Sequence, residues 1–455
     1  MQEMEILEFD EQQSAATRRM SQGLTYALAL LMPFSVFFAV SSPVDVNVFA
    51  LYAQPGFYLS DLPLAFLLVI TLITEIRWRR GPLPITVALL VICILAFVSV
   101  PQAFAPPFTV YVAVRWLLAF YLYLWFLQRL TPARSLVLAF AGGLSIHAIV
   151  GIFQVAFQGP LNLPGELALR PEIPGAAVLL VDGARLLRAY GLAFHPNVLG
   201  GFLAVGLLLL TPWLERLPAV GLWWLMWTAL WLTFSRSAWL AVGLTMPLAL
   251  MACYIKRPQT RRMLILAASG ALGLFLGFLL VANDQVRTRL SPIANRLPAL
   301  SEELPETALE TRSLSERAEL VDLALDIIEQ RPFGGIGAGN FPLTMPRLRP
   351  QLPAQSVHSV PLLLASEIGI PGGLLWLFIN IVVLARFIVL WRKAQAALLC
   401  AMCAWMALAL IALFDSYPWA LNSGLLLTAM VLGLASRTPL DEDESRHAAS
   451  VISSS

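Results

Sequence analysis

The sequence predicts an all-α polytopic membrane protein of about twelve transmembrane helices, and three observations lead there. First, hydrophobic residues make up 58% of the chain and charged residues 13%, with a mean hydropathy of +0.76. A soluble domain is about a quarter charged. Charge this scarce cannot clothe a water-facing surface of this size, so lipid is the main solvent. Second, apolar runs near the spanning length of about 17–25 residues recur along the chain. Third, arginine and lysine crowd into alternate short loops, the asymmetry that orients membrane proteins. The net charge of +2 gives no reason to expect a nucleic-acid partner.

The apolar runs are Leu24–Val40, Tyr58–Thr74, Leu83–Val100, Phe108–Leu127, Ser135–Phe157, Pro196–Leu214, Leu217–Phe234, Ala238–Ile255, Met263–Ala282, Leu362–Leu390, Ala396–Phe414 and Trp419–Ala435. The tenth is too long for one straight span, and Gly369, Pro371, Gly372 and Gly373 predict a break near its start. Arg18 and Arg19, then Arg77, Arg79 and Arg80, then Arg129 and Arg134, then Arg216, then Lys256, Arg257, Arg261 and Arg262, then Arg392 and Lys393, then Arg437 fall on one side. The short opposite loops, Ser41–Phe57 and Pro101–Pro107, hold no arginine or lysine. Both termini are therefore expected in the cytoplasm. No secretory signal is visible at the N-terminus.

Five regions follow: a cytoplasmic tail over 1–21, helices one to nine over 22–282, an extracytoplasmic loop over 283–357, helices ten to twelve over 358–436, and a second cytoplasmic tail over 437–455. Gln158–His195 and Asn283–Val357 are the large outer segments, and loops of such length usually carry function or are disordered. Within the second, Ser313-Leu-Ser-Glu316 reads as a capping box. Leu320, Ala324, Ile327 and Ile328 then recur at helical spacing until Pro332. An amphipathic helix is expected from about Leu314.

The chemistry-bearing residues are few. Of His147, His195, His358 and His447, the last lies in the tail and the first mid-helix, where a buried histidine satisfied between helices is the bland reading. His195 and His358 lie where outer segments re-enter the membrane, half-desolvated and able to titrate near neutrality. The chain holds 28 Arg and 2 Lys, and both lysines are cytoplasmic, so every outer basic residue is arginine. A guanidinium fork matches phosphate and keeps its charge, although a chain-wide bias against lysine explains most of the count. Arg188 precedes the sixth span, and Arg236 sits in a tight outer turn, where anchoring by snorkelling is the alternative. Arg317 falls in the first turn of the surface helix, where a cation opposes the helix dipole. Helix terminus and guanidinium together can receive an anion. Arg115 lies inside the fourth span, and an intramembrane charge is a functional suspect.

Cys400-x-x-Cys403 lies in an apolar run and reads as small residues packed between helices, like Cys93 and Cys253. The glycine-rich Phe333–Pro342 stretch is not a dinucleotide fingerprint, since no strand precedes it; it predicts a tight loop that brings backbone close to substrate or membrane. The outer acids Glu302, Glu303, Glu306 and Glu310 read as a solvated stretch. No metal-binding spacing and no cofactor motif is present.

Five segments together resemble landmarks of the O-antigen ligase / O-antigen polymerase superfamily: Arg188-Ala-Tyr-Gly-Leu-Ala-Phe-His-Pro-Asn197, Thr233-Phe-Ser-Arg-Ser-Ala-Trp239, Ser315-Glu-Arg-Ala-Glu-Leu320, the stretch Arg331-Pro-Phe-Gly-Gly-Ile-Gly-Ala-Gly-Asn-Phe341, and His358 through Gly372. They occur in the family's order from about Arg188 to Gly373, whereas the N-terminal third is similar only in hydropathy. The resemblance implies a GT-C-type glycosyltransferase of the bacterial inner membrane that takes a glycan from undecaprenyl diphosphate on the outer face. It passes the glycan to lipid A–core, to another carrier-linked glycan, or to protein. It also implies inversion and no metal. By matching motif, His358 takes the place of the family histidine that activates the acceptor, Arg317 that of the loop arginine, and Arg188 and Arg236 those near the diphosphate. His195, Asn197 and Arg115 are further candidate substrate contacts. Family members often have His-Asn where this chain has His358-Ser359, which leaves the histidine's partner unassigned.

The chemistry agrees with that implication. Arginines can neutralise a leaving diphosphate, and a neutral imidazole can take the proton of the attacking hydroxyl. Ligase is preferred to polymerase because the motifs are more ligase-like. A solute transporter is the rival of another class. Transporters usually place polar, broken helices at mid-membrane in paired halves, whereas here the polar candidates gather at the outer face without a visible repeat. A non-catalytic assembly partner is a third reading, disfavoured by the presence of both Arg317 and His358 in their motifs.

Overall fold

The computed structural model describes residues 2–40, 55–74, 78, 81–128, 130–167, 169–173, 176–181, 184–281, 308–352 and 354–439. Its helices are, in order, α1 (Gln2–Leu31), α2 (Asp61–Ile73), α3 (Leu83–Val98), α4 (Pro106–Leu127), α5 (Ala133–Phe157), α6 (Pro196–Leu210), α7 (Leu217–Leu232), α8 (Arg236–Lys256) and α9 (Arg261–Val281). There follow α10 (Ala308–Gln330), α11 (Phe341–Leu348), α12 (Val360–Ile368), α13 (Ile370–Leu390), α14 (Ala396–Ala412), α15 (Tyr417–Ala420) and α16 (Asn422–Ala435).

Among the described residues, six helices are long and apolar enough to cross a membrane: α4, α5, α8, α9, α13, and α6 with the 3-10 turn that carries it to Trp213. The apolar helices α2, α3, α7, α14 and α16 are shorter. The first expected run differs. Its helix begins at Gln2, inside the stretch read as a polar tail, and stops at Leu31. Pro33 has no N–H to continue the ladder, and the chain beyond it turns into strand β1 (Phe37–Ala39). The strand pairs antiparallel with β2 (Gly56–Tyr58), Phe37 opposite Tyr58. A second pair, β3 (Val178–Val181) and β4 (Ala184–Leu187), lies in the segment before α6. The all-α expectation therefore needs two short hairpin-like ladders added to it.

Helix α6 is the axis of the bundle. Of its apolar window, 94% is buried, against 11% for that of α9 and 28% for that of α13, which face outward. It packs against α5, α7, α8 and α14. Small residues permit this approach: a side chain at Gly201 would collide with the Tyr417 ring, and a Cβ at Gly200 would stand 2.9 Å from that of Ser235.

The break expected near Gly369 is present. α12 ends at Ile368 and α13 starts at Ile370, with Gly369 at φ +90° between them. The surface helix α10 begins at Ala308, about two turns before the expected Leu314, so Ser313 lies inside it and is not its cap. Arg317 therefore lies within the helix and not in its first turn. Glu302, Glu303, Glu306, His447, Arg77, Arg79, Arg80 and Arg129 lie outside the described residues.

The loops with basic residues meet at one end of the bundle. Arg257 pairs with Glu215 at 2.6 Å and Arg134 with the same carboxylate at 3.7 Å. Lys256 donates to the Arg392 carbonyl at 2.5 Å, and Arg437 to the Phe126 carbonyl at 2.8 Å. At the other end, the 100–105 turn, the 158–195 segment, the α7–α8 turn, α10 to α12 and the α14–α15 turn come together.

Candidate active site

Three segments converge at that second end. The first is the chain into α6. Gln154 of α5 accepts N–H bonds from Tyr190 and Gly191 through Oε1. Glu166 accepts from Gln154 Nε2 at 2.7 Å and from the Leu161 and Leu163 amides at 2.9 Å each. His147 accepts the Leu192 amide on Nδ1 at 3.3 Å, which accounts for that mid-helix histidine as a loop holder. These bonds fix the path of residues 188–195. His195 then caps α6, its Nδ1 accepting the Asn197 amide at 3.1 Å.

The second segment is α10 to α12. Leu320, Leu323, Ala324 and Ile327 form one buried face of α10 against Ile336, Phe341, Met345 and Val357, and so set Arg317 one turn before the packed stripe. His358 lies two residues before α12, next to its cap Ser359. Its Nδ1 is buried without a hydrogen-bond partner. The ring keeps 24% exposure, so its free edge lies away from Nδ1.

The third segment ends α14 and supplies Asp415, 5% exposed. Its Oδ1 lies 3.8 Å from His358 Nδ1, an ion-pair contact longer than a hydrogen bond. Its Oδ2 accepts from Asn197 Nδ2 at 3.2 Å. Asn197 Oδ1 in turn accepts from Arg188 Nη2 at 2.7 Å. Arg188 Nε donates to the Thr233 carbonyl at 2.7 Å and Nη2 to that of Phe234 at 3.4 Å, tying in the α7–α8 turn. The result is a continuous chain: α7–α8 turn, Arg188, Asn197, Asp415, His358.

Charge explains why this chain is stable. Burial alone would raise the Asp415 carboxyl, but the contact with His358 and the charge of Arg317 outweigh it and hold the acid below the usual carboxylate range. Burial, then the Arg188 charge, pushes His195 down to about 3, so it is neutral at physiological pH. A carboxylate behind Nδ1 and an open far edge leave His358 Nε2 as the site that can accept a proton, the arrangement used to orient a histidine base. Among the described residues no hydrogen bond or ion pair holds Arg317, while its charge reaches both Asp415 and His195. Also among the described residues, no group of three or more His, Cys, Asp or Glu is arranged to hold a metal ion.

His358, His195, Asn197 and Arg188 are thus in one hydrogen-bonded and electrostatic cluster, with Arg317 near it. Arg188 is 4% exposed and engaged by carbonyls and Asn197. Arg236 opens α8, two residues after Phe234, in the turn that Arg188 holds. Arg115 is not in the cluster. It makes a two-pronged pair with Asp61 at 2.6 and 2.8 Å, donates to the Gly56 carbonyl at 2.7 Å, and lies by the rings of Tyr58 and Tyr111. The glycine loop also differs from expectation, because it approaches its own chain. Ile336 and Gly337 amides bond to the Ser366 and Glu367 carbonyls, and the Glu367 side chain accepts from Gly339 and Phe341 at 2.8 and 3.1 Å.

Asp415 escaped the sequence reading. Its signal was available: it is the one acidic residue between Glu367 and Asp441, placed after an apolar run at the outer end.

Residues 221–377, from α7 into α13, match the family model described as O-antigen ligase. The chain carries an O-antigen ligase family domain. Arg236, Arg317 and His358 lie within the matched stretch, while Arg188, His195, Asn197 and Asp415 lie outside it and join it through the contacts above. No curated protein matches the chain. Family and apolar helices together make it a membrane enzyme of the ligase or polymerase type.

Proposed function

We propose that the protein is an O-antigen ligase-like glycosyltransferase of the bacterial inner membrane. It moves a glycan from undecaprenyl diphosphate to lipid A–core or a similar lipid or glycan acceptor. In this reading all twelve apolar runs, α1 included, insert into the bilayer. The basic end and both termini face the cytoplasm, and the cluster around His358 faces the periplasm. The observation that carries the reading is the ordered chain from Arg188 through Asn197 and Asp415 to His358, with the charge of Arg317 beside it.

The proposed mechanism is a single displacement. The acceptor hydroxyl oxygen attacks the anomeric carbon while its proton passes to His358 Nε2. The bond from that carbon to the diphosphate oxygen breaks, and the lipid diphosphate leaves with the electron pair. Asp415 holds the imidazole and stabilises the imidazolium that forms. Arg317 and Arg236 face the growing negative charge, and Arg188 adds its charge from beneath while fixing Asn197. Attack opposite the leaving group inverts the anomeric centre. His195, neutral, orients the Asn197 backbone. Arg115 acts as a structural partner of Asp61.

The test is transfer by the purified protein in liposomes from an undecaprenyl-diphosphate glycan to a panel of lipid, glycan and protein acceptors. Product bearing the inverted linkage, lost in His358→Ala and Arg317→Ala, supports the reading, and the acceptor used separates ligase from polymerase and from protein glycosylation. Uptake of a solute across the bilayer with no glycosidic product would support the transporter instead.

A further inference from the structure

On the outward side of α7 and α9 runs an open apolar groove with a volume of about 880 Å³. Trp224 and Trp231 form one wall, and Gly273, Gly277 and Phe278 the other. Thr228, the polar residue among those lining it, already donates its hydroxyl to the Trp224 carbonyl at 3.1 Å. Glycines give the groove depth in two ways. Gly270 lets the Trp224 indole lie flat against α9, where its Nε1 bonds to the Ala267 carbonyl at 3.0 Å. Gly273 and Gly277 face open space: a Cβ at either meets no atom within 4 Å. From Gly221 to Leu232 the wall rises about 16 Å at about 1.5 Å per residue, room for roughly three extended isoprene units.

The groove does not end blindly. Trp231 contacts the Trp239 ring at 5.5 Å and Phe278 the Phe234 ring at 5.4 Å. The Phe234 carbonyl is the one Arg188 grips, and Arg236 follows two residues later. An apolar trough therefore leads from the bilayer to the turn that Arg188 holds and Arg236 opens. The occupant that satisfies both ends is a lipid with a long apolar chain and an anionic head. We propose that this groove seats the isoprenoid chain of the polyprenyl-diphosphate donor and delivers its diphosphate to the arginine turn. The inference rests on the transferase reading above and adds where the carrier lies.

Filling the groove tests it. Gly273→Leu and Gly277→Leu place side chains into empty space and favour the helix. Gly243→Leu on α8 is the matched control, since Gly243 is exposed and a Cβ there also meets nothing within 4 Å. Transfer is measured in proteoliposomes with donors on a long undecaprenyl chain and on a one-isoprene dimethylallyl chain, too short to fill the groove. The groove variants are expected to raise KM for the long-chain donor tenfold or more, with kcat retained and the short-chain donor little affected, while Gly243→Leu behaves as wild type. Unchanged KM in both groove variants, or an equal rise in Gly243→Leu, overturns the groove and leaves the transferase. In parallel, a diazirine-bearing undecaprenyl diphosphate without glycan is photolysed with the wild-type protein. Label on α7 and α9, not displaced by phospholipid, supports the groove even if no transfer is seen. Label spread equally to the Gly243 face means bulk lipid only and overturns it.

Discussion

Asp415→Asn removes one charge from the cluster and little else. The side chain keeps its size and its contact with Asn197, but the carboxylate 3.8 Å behind His358 Nδ1 is gone. At that distance a full charge pair is worth about 4 kcal/mol with an effective dielectric constant of about 20. The ring is 24% exposed, so solvent screening reduces the effect to about 2–4 kcal/mol. This energy acts on the imidazolium that forms in the displacement and not on the neutral ground state, so it belongs to the barrier. Each 1.36 kcal/mol is about tenfold in rate, and the predicted fall in kcat is about 30- to 1000-fold. KM for donor and acceptor should hardly change. The assay is initial-rate transfer in proteoliposomes, with folding checked by thermal unfolding in detergent. A folded Asp415→Asn protein with kcat within threefold of wild type would refute the reasoning, and some other group would have to support the histidine.

Four further outcomes follow from the same contacts. Arg317→Ala should lower transfer by about 100-fold or more, while Arg317→Lys recovers part of it, since the charge remains but the fork is lost; equal rates for the two would argue against direct phosphate contact. Arg115→Ala leaves the partly buried Asp61 with the Tyr58 amide but without its counter-charge and should destabilise the fold by about 1–3 kcal/mol, whereas Asp61→Leu with Arg115→Met should regain most of the melting temperature and keep transfer; loss of transfer in a stable double variant would give Arg115 a role in the reaction. Gly369→Ala puts a Cβ 2.6 Å from the Phe333 carbonyl carbon at φ +90° and should cost about 1–3 kcal/mol in thermal unfolding. The folded state keeps His195 neutral with its pKa lowered to about 3, so its contribution to stability is complete above the unfolded value of about 6.5 and erodes as pH falls. His195→Gln should therefore flatten the loss of melting temperature between about pH 6.5 and pH 4, and an unchanged slope would contradict the neutral assignment.

The apolar runs were legible as helices because lipid imposes length and apolarity on each helix separately. Ends were less legible. α1 extends through a polar segment because nothing in that segment forbids a helix, and it stops where Pro33 removes a donor. His358 stood out as a histidine at a re-entry point. Asp415 did not, because what makes it important is a contact with a residue 57 positions away and with Asn197 farther still. Arg115 looked functional for the cost of its charge, but Asp61 at the start of α2 offsets that cost, a pairing no local pattern reveals. The glycine loop was read correctly as a close approach and wrongly as an approach to something outside the chain, since the backbone it meets is that of Ser366 and Glu367.

The most direct test of the central claim is transfer by the reconstituted protein, with EDTA present, from undecaprenyl-diphosphate glycan to its acceptor, comparing wild type with His358→Ala. The account predicts product from wild type and none above background from a folded His358→Ala protein. Transfer by His358→Ala at the wild-type rate would contradict it and require another base.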